Sequence, residues 1–244
     1  MLSIVVADAD MSSWANPTVA RLAAGDLCGD DFCGAVLICS WPMPSHVLEA
    51  YRSFAARLKA EMPAEAYIYP ASTLHCTILT CRAFTGGPLD DAARAQLVAA
   101  WRPVLDAARA SPKWPTSDFQ IKMGKPTLEG AAGIFRYEDT DGAIGRMREC
   151  LLDAVVAAGG MPAIGGGDRS KAKTLPEGPG GSHPPPHIPD IVHSTAVRWT
   201  AEPADRAAAL AGFERAAATW SPQQITVTSG ARAVLESTPF MHMP

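Results

Sequence analysis

The sequence predicts an α+β fold built from two similar halves. Short apolar runs rich in β-branched residues alternate with segments of helical period. The tripeptides His75-Cys76-Thr77 and His193-Ser194-Thr195 sit in two of those runs, and each is bracketed by helix-like segments. With 244 residues, 48% hydrophobic and 19% charged, the chain is long enough for a sizeable core and too apolar for general disorder.

Residues 1–33 carry Asp, Gly, Ala and Ser with little period and read as an N-terminal arm ahead of a single domain over 34–244. Gly34 to Ser40 is an apolar run closed by Trp41-Pro42 and predicts a buried strand. Ser45 stands at an N-cap position. Val47, Leu48, Tyr51, Phe54, Ala55, Leu58 and Met62 then recur at helical spacing until Pro63. Strands follow at 66–69 and 74–84, then a helix over about 90–110 that Pro103 can kink or split. Phe119 to Met123 alternates as a strand, with Gly133 to Tyr137 as its antiparallel neighbour. A third helix covers about 142–158 and closes at Gly159-Gly160. Residues 165–190 form a Gly/Pro-rich insertion that reads as a long surface loop. A strand over 191–200, a helix over about 204–220 and a final strand region over 224–236 complete the pattern. The second half thus resembles the first with an insertion ahead of its signature strand.

A net charge of −4 and a pI near 5.8 argue against coating long duplex nucleic acid, which needs many basic contacts to phosphate. They leave a small nucleotide or an RNA end open. No apolar run approaches the roughly 20 residues that span a bilayer, and the first residues lack a basic start, so an intracellular, cytoplasmic protein is expected. The six cysteines form no Cys-x-x-Cys pair, and reduced thiols are expected. The oligomeric state is left open, with a monomer as the working expectation.

In a strand, residues i and i+2 share a face. His75 therefore projects with Thr77, and His193 with Thr195, while Leu74, Cys76, Ile78, Val192 and Ala196 suit a buried face. Placed side by side, the two strands would present two imidazoles and two hydroxyls around a groove. One neutral imidazole can accept a proton from a nucleophile while the other, protonated, donates to a leaving oxygen. Histidine suits both roles because its ordinary pKa lies near 6.5. The threonines can donate to non-bridging phosphate oxygens as charge builds there. No metal or cofactor is expected for this chemistry.

The pair His75-Cys76-Thr77-Ile78 and His193-Ser194-Thr195-Ala196, each in an apolar strand flanked by helices, resembles the tandem signature of the 2H phosphoesterase superfamily. That superfamily includes RNA 2′,3′-cyclic phosphodiesterases and 2′-5′ RNA ligase-like proteins. The resemblance covers about residues 34–238. It implies a bilobal fold with two pseudo-symmetric antiparallel sheets forming a groove, and helices packed outside. It also implies that His75 and His193 act as acid and base while Thr77 and Thr195 hold the phosphate. The expected activity is metal-independent cleavage of a 2′,3′-cyclic phosphate or of a 2′-5′ or 3′-5′ linkage in RNA or a small nucleotide. The alternative is a catalytically silent module of the same fold that binds a nucleotide or RNA end.

Other features carry less. His183, His187 and His193 fall close together, but the first two lie in the Pro-rich stretch with no fixed face, so a metal site is set aside. Arg169, Lys171 and Lys173 suit either a lid over phosphate or a solvated loop. Trp199 shares parity with His193 and suits either base stacking or the core, while Arg198 has the opposite parity and is placed at the surface. Tyr137 and Lys125 are further groove candidates. Gly165-Gly166-Gly167 lacks the rest of a phosphate-binding loop. His46 and His242 read as surface residues.

Overall fold

The computed structural model describes residues 13–26, 32–84, 87–129, 131–160, 163–164, 186–228 and 230–236. The helices are α1 (Pro17–Ala24), α2 (Ser45–Glu61), α3 (Asp91–Ala110), α4 (Ala143–Ala157) and α5 (Arg206–Ala217). The strands are β1 (Gly34–Cys39), β2 (Ala66–Ile68), β3 (Cys76–Arg82), β4 (Phe119–Glu129), β5 (Ala132–Glu138), β6 (Ala163–Ile164), β7 (His187–Ile188), β8 (His193–Trp199), β9 (Gln223–Val227) and β10 (Arg232–Glu236).

Two five-stranded sheets result, in the orders β10-β1-β3-β7-β6 and β2-β8-β5-β4-β9. Pairing is antiparallel except between β6 and β7. The series β10-β1-β3-β7 matches β4-β5-β8-β2, so β3 and β8 hold equivalent places. Each signature strand is flanked by the short strand that precedes the other signature. Tyr67 of β2 lies opposite Arg198 of β8, and His187 of β7 lies opposite Thr80 of β3. The two sheets are thereby stitched to one another by reciprocal exchange.

The helices form because their apolar residues recur at helical spacing, and each buries that stripe. α2 buries Val47, Tyr51, Phe54 and Leu58, and α4 buries Ile144, Met147, Leu151 and Val155. Each such side chain contributes about 1.5–3 kcal/mol on leaving water. Behind the second sheet, Phe54, Phe135, Phe213 and Trp220 form an aromatic cluster, with Phe135 and Trp220 centroids 4.6 Å apart. Gly212 allows α5 to approach α2 there, since a Cβ would collide with the Glu61 carbonyl.

The arm before β1 contains α1, capped by Asn16, and Ala15 and Asn16 bind along Trp199 at the end of β8. Three expectations are corrected. Ser45 is the first helical residue and Pro44 the N-cap, so no side chain caps α2. The final strand region is two strands, β9 and β10, that join different sheets. The end of the expected loop, His187–Ile188, is a strand that closes on β3 because the β3 edge has backbone groups to pair. The rest of the insertion, with Gly165-Gly166-Gly167, Arg169, Lys171, Lys173 and His183, lies outside the described residues, as do Cys28 and His242. Pro103 lies inside an unbroken α3. Among the described residues, no helix is long and apolar enough to cross a membrane.

Candidate active site

His75 is the residue just before β3, Thr77 is the second residue of β3, and His193 and Thr195 are the first and third of β8. All four are half-buried, while their neighbours Cys76, Ile78, Ser194 and Ala196 are buried, as the two-residue period requires. The two signatures meet. The buried Ser194 hydroxyl donates to the His75 carbonyl across the join between sheets, and Tyr137 donates to Ser194 at 2.9 Å. Tyr137 is therefore a support behind the site, 6% exposed, and not a groove residue.

The imidazoles are oriented alike. His75 Nδ1 lies 2.6 Å from the Thr73 carbonyl, which can only accept, so Nδ1 carries the proton. Nε2 then faces Thr77, whose hydroxyl donates to it at 3.2 Å. His193 Nδ1 faces the Ile191 carbonyl, again two residues upstream, at a geometry short of a full hydrogen bond. Burial pushes His75 down to about 4, with a further push from His193. Burial lowers His193 as well, and the nearby charges of Arg198, Arg148 and Arg136 add to that effect. Burial thus favours the neutral form of both imidazoles.

Beyond the signatures, strict alternation fails in both strands, and at the same place. Along β3 the register skips Ile78, and along β8 it skips Ala196, so each strand has a bulge three residues after its histidine. Residues 78 and 79 are both buried, as are 196 and 197, and the fifth residue after each histidine returns to the signature face. Those residues are Thr80 and Arg198. Arg198, expected at the surface, is therefore half-buried on the signature face, and of the two placements open to Trp199 the strand takes the core. Arg198 faces the site, within range of His193, and its guanidinium lies near the Tyr69 hydroxyl, whose charged form it stabilises. Trp199 is fully buried and packs on Trp14 at 5.0 Å, so it is not a base-stacking residue. Only the paired register, not the sequence alternation, carries the signal for the bulges.

Register extends each signature face to its neighbours. In the second sheet, Tyr67 lies opposite Arg198, Ile134 opposite Thr195, and Arg136 opposite His193. Arg136 makes a two-pronged ion pair with Glu129 at 2.6 and 2.5 Å. Lys125 is exposed, on β4. In the first sheet, Ile38 lies opposite Thr77 and Val36 opposite Thr80. Val36, Ile38, Val234 and Trp41 form a small apolar cluster apart from the main core. The half-buried Trp41 anchors its indole N–H on the Ser72 carbonyl at 3.0 Å, beside the turn leading to His75, and Arg232 lies over its ring. Sequence reasoning missed Trp41 because it follows a strand that reads as wholly buried.

A cavity of about 440 Å³ opens elsewhere, between α3 and the β1-β10 edge of the first sheet. His46 is exposed and approaches the Gln224 carbonyl. Among the described residues, no three His, Cys, Asp or Glu side chains gather as a metal set. The five described cysteines are buried and unbridged.

No protein-family model matches the chain, and no curated protein matches it. Solved structures similar to it in backbone include the following three. TT0787 of Thermus thermophilus is 15% identical, covering 83% of this chain and 94% of that one, with a TM-score of 0.46. The MHV ns2 PDE domain is 11% identical, covering 84% and 99%, at 0.45. E. coli LigT, in complex with 3′-AMP, is 10% identical, covering 84% and 95%, at 0.40.

Proposed function

We propose that this chain is a metal-independent phosphodiesterase of the 2H phosphoesterase type. It acts on a 2′,3′-cyclic phosphate or on a 2′-5′ or 3′-5′ linkage of RNA or a small nucleotide. The observation that carries this reading is the pairing of His75 and Thr77 with His193 and Thr195 on two strands joined by the Ser194–His75 hydrogen bond. In a cyclic phosphate, a water oxygen forms a bond to phosphorus as the bond to the leaving ribose oxygen breaks. One neutral imidazole takes the water proton, and the other, as imidazolium, protonates the leaving oxygen. Thr77 and Thr195 donate to the non-bridging oxygens.

The electrostatics support this assignment. Arg198, Arg148 and Arg136 place positive charge around His193 in a chain whose net charge is −4. A phosphodiester anion meets local cations there, and its own charge raises the imidazole that must hold a proton. Trp41, with the apolar residues beside it, offers a surface for stacking a base.

The test is turnover in EDTA against a panel of 2′,3′-cyclic nucleotides, 2′-5′ oligoadenylates and cyclic dinucleotides, with the phosphate position identified in the product. Cleavage of one class is expected. His75→Ala and His193→Ala should each lose at least about 10²-fold in kcat. Full turnover by both variants overturns the proposal. Tight binding without product leaves a silent nucleotide-binding module instead.

A further inference from the structure

Arg148, on α4, belongs to no sequence motif, yet its donors reach β3 and the segment that leads into β8. Its Nη2 donates to the Thr77 carbonyl at 2.9 Å and to the Ile191 carbonyl at 3.0 Å. Its Nε donates to the Ile78 carbonyl at 3.3 Å. Ile78 is the bulge residue of β3, where the ladder leaves a carbonyl to be satisfied. Ile191 is the residue whose carbonyl faces His193 Nδ1. One side chain therefore holds the backbone beneath Thr77 and the carbonyl behind His193.

The equivalent place in the other half is filled differently. There Tyr51 of α2 donates to the Tyr69 carbonyl at 2.7 Å, and the bulge carbonyl of Ala196 takes the Tyr69 N–H at 2.9 Å. A neutral phenol stands on one side of the pseudo-symmetric pair and a guanidinium on the other. Arg148 thus adds, with Arg198 and Arg136, to an electrostatic inequality between the two histidines.

We propose that Arg148 is a positioning residue: it fixes the spacing of the two signature strands and the orientation of His193. This rests on the phosphodiesterase reading for its effect on turnover, but not for its effect on His193 itself. A guanidinium suits the task because its planar fork holds its charge while bridging several acceptors, whereas an ammonium is a point donor. Around His193 the charged and titratable groups are Arg198 on its own strand, Arg148 from α4, Arg136 from β5, Glu129 from β4 and His75 ahead of β3. Asp190, just ahead of β8, acts on Arg136 and Arg148. Within that set, Arg148 both repels the imidazolium and holds the carbonyl facing its ring.

The experiment compares Arg148→Gln and Arg148→Lys with the native chain by imidazole NMR titration, with the His193 signal assigned by its loss in His193→Gln, and by kcat and KM across pH in EDTA. For Arg148→Gln the His193 midpoint should rise by about half a pH unit or more. Its kcat should fall about 10- to 100-fold, with KM changed less than about threefold. For Arg148→Lys the charge is kept, so the midpoint should stay near the native one while kcat still falls. The limb of the rate profile that moves in Arg148→Gln identifies His193 as base (acid limb) or acid (basic limb). Native midpoint and native kcat in Arg148→Gln overturn the proposal. If that variant does not fold, a native kcat in Arg148→Lys overturns it. Absence of turnover in the native chain refutes the phosphodiesterase reading alone, and the His193 titration then decides the role of Arg148.

Discussion

The hydrogen bonds joining the two signatures can be measured as free energy. Ser194 is 3% exposed, its hydroxyl proton goes to the His75 carbonyl, and its oxygen accepts from Tyr137. Ser194→Ala leaves that carbonyl without this donor and the Tyr137 hydroxyl without this acceptor. At about 1–3 kcal/mol for each buried group deprived of its partner, the substitution should cost about 2–6 kcal/mol. Tyr137→Phe removes one donor and leaves the Ser194–His75 bond standing, so it should cost about 1 kcal/mol. In the double variant the orphaned phenol is gone. Its cost should therefore fall short of the sum by about 1 kcal/mol. Urea unfolding of the four proteins, with an unchanged denaturant slope, provides the cycle. A cost below about 0.5 kcal/mol for Ser194→Ala, or strict additivity in the cycle, refutes the hydrogen-bonded chain from Tyr137 to His75.

Two further outcomes are expected. His75 holds a folded value of about 4 against an ordinary 6.5, so the unfolded chain binds the proton more readily, and stability is full above about pH 6.5 and lost as pH falls toward 4. Allowing for its half-exposed edge, the loss should be about 2 kcal/mol, read as the urea midpoint between pH 7 and pH 4. An equal slope in His75→Gln counts against that origin. The β8 bulge predicts opposite consequences for two adjacent residues: Arg198→Met should lose about 10²-fold in kcat/KM with little change in melting temperature. Trp199→Phe should melt lower with near-native kcat, and the reverse pattern would return the strand to simple alternation.

The sequence makes the helices and most strands legible because their signals are local. The stripe of Val47, Tyr51, Phe54 and Leu58 lies within α2 itself, and the His-x-Thr parity requires only three residues. What escaped depends on pairing. Nothing in the run from Ala196 to Trp199 announces that two consecutive residues share a face, because a bulge is a relation between β8 and β5. That one-residue slip exchanged Arg198 and Trp199 between groove and core. The split of β9 from β10 and the capture of His187–Ile188 by β3 are likewise decided by partners far away in the chain. Arg148 was invisible for the same reason, since its acceptors are backbone atoms of strands, not a motif.

The exchange of β2 and β7 has a kinetic consequence. Ala66 pairs with Trp199, and Gly34 with Glu236, so the edges that complete both sheets are contacts of high contact order. Closing them loses loop entropy before much burial is gained, and such topologies cross their folding barrier slowly. The first-half residues 34–84 can collapse onto α2 as they leave the ribosome, yet β2 has no partner until residue 199 has been made. The His75 and His193 segments therefore come together only after β8 has been made, in the same cooperative step that closes the sheets.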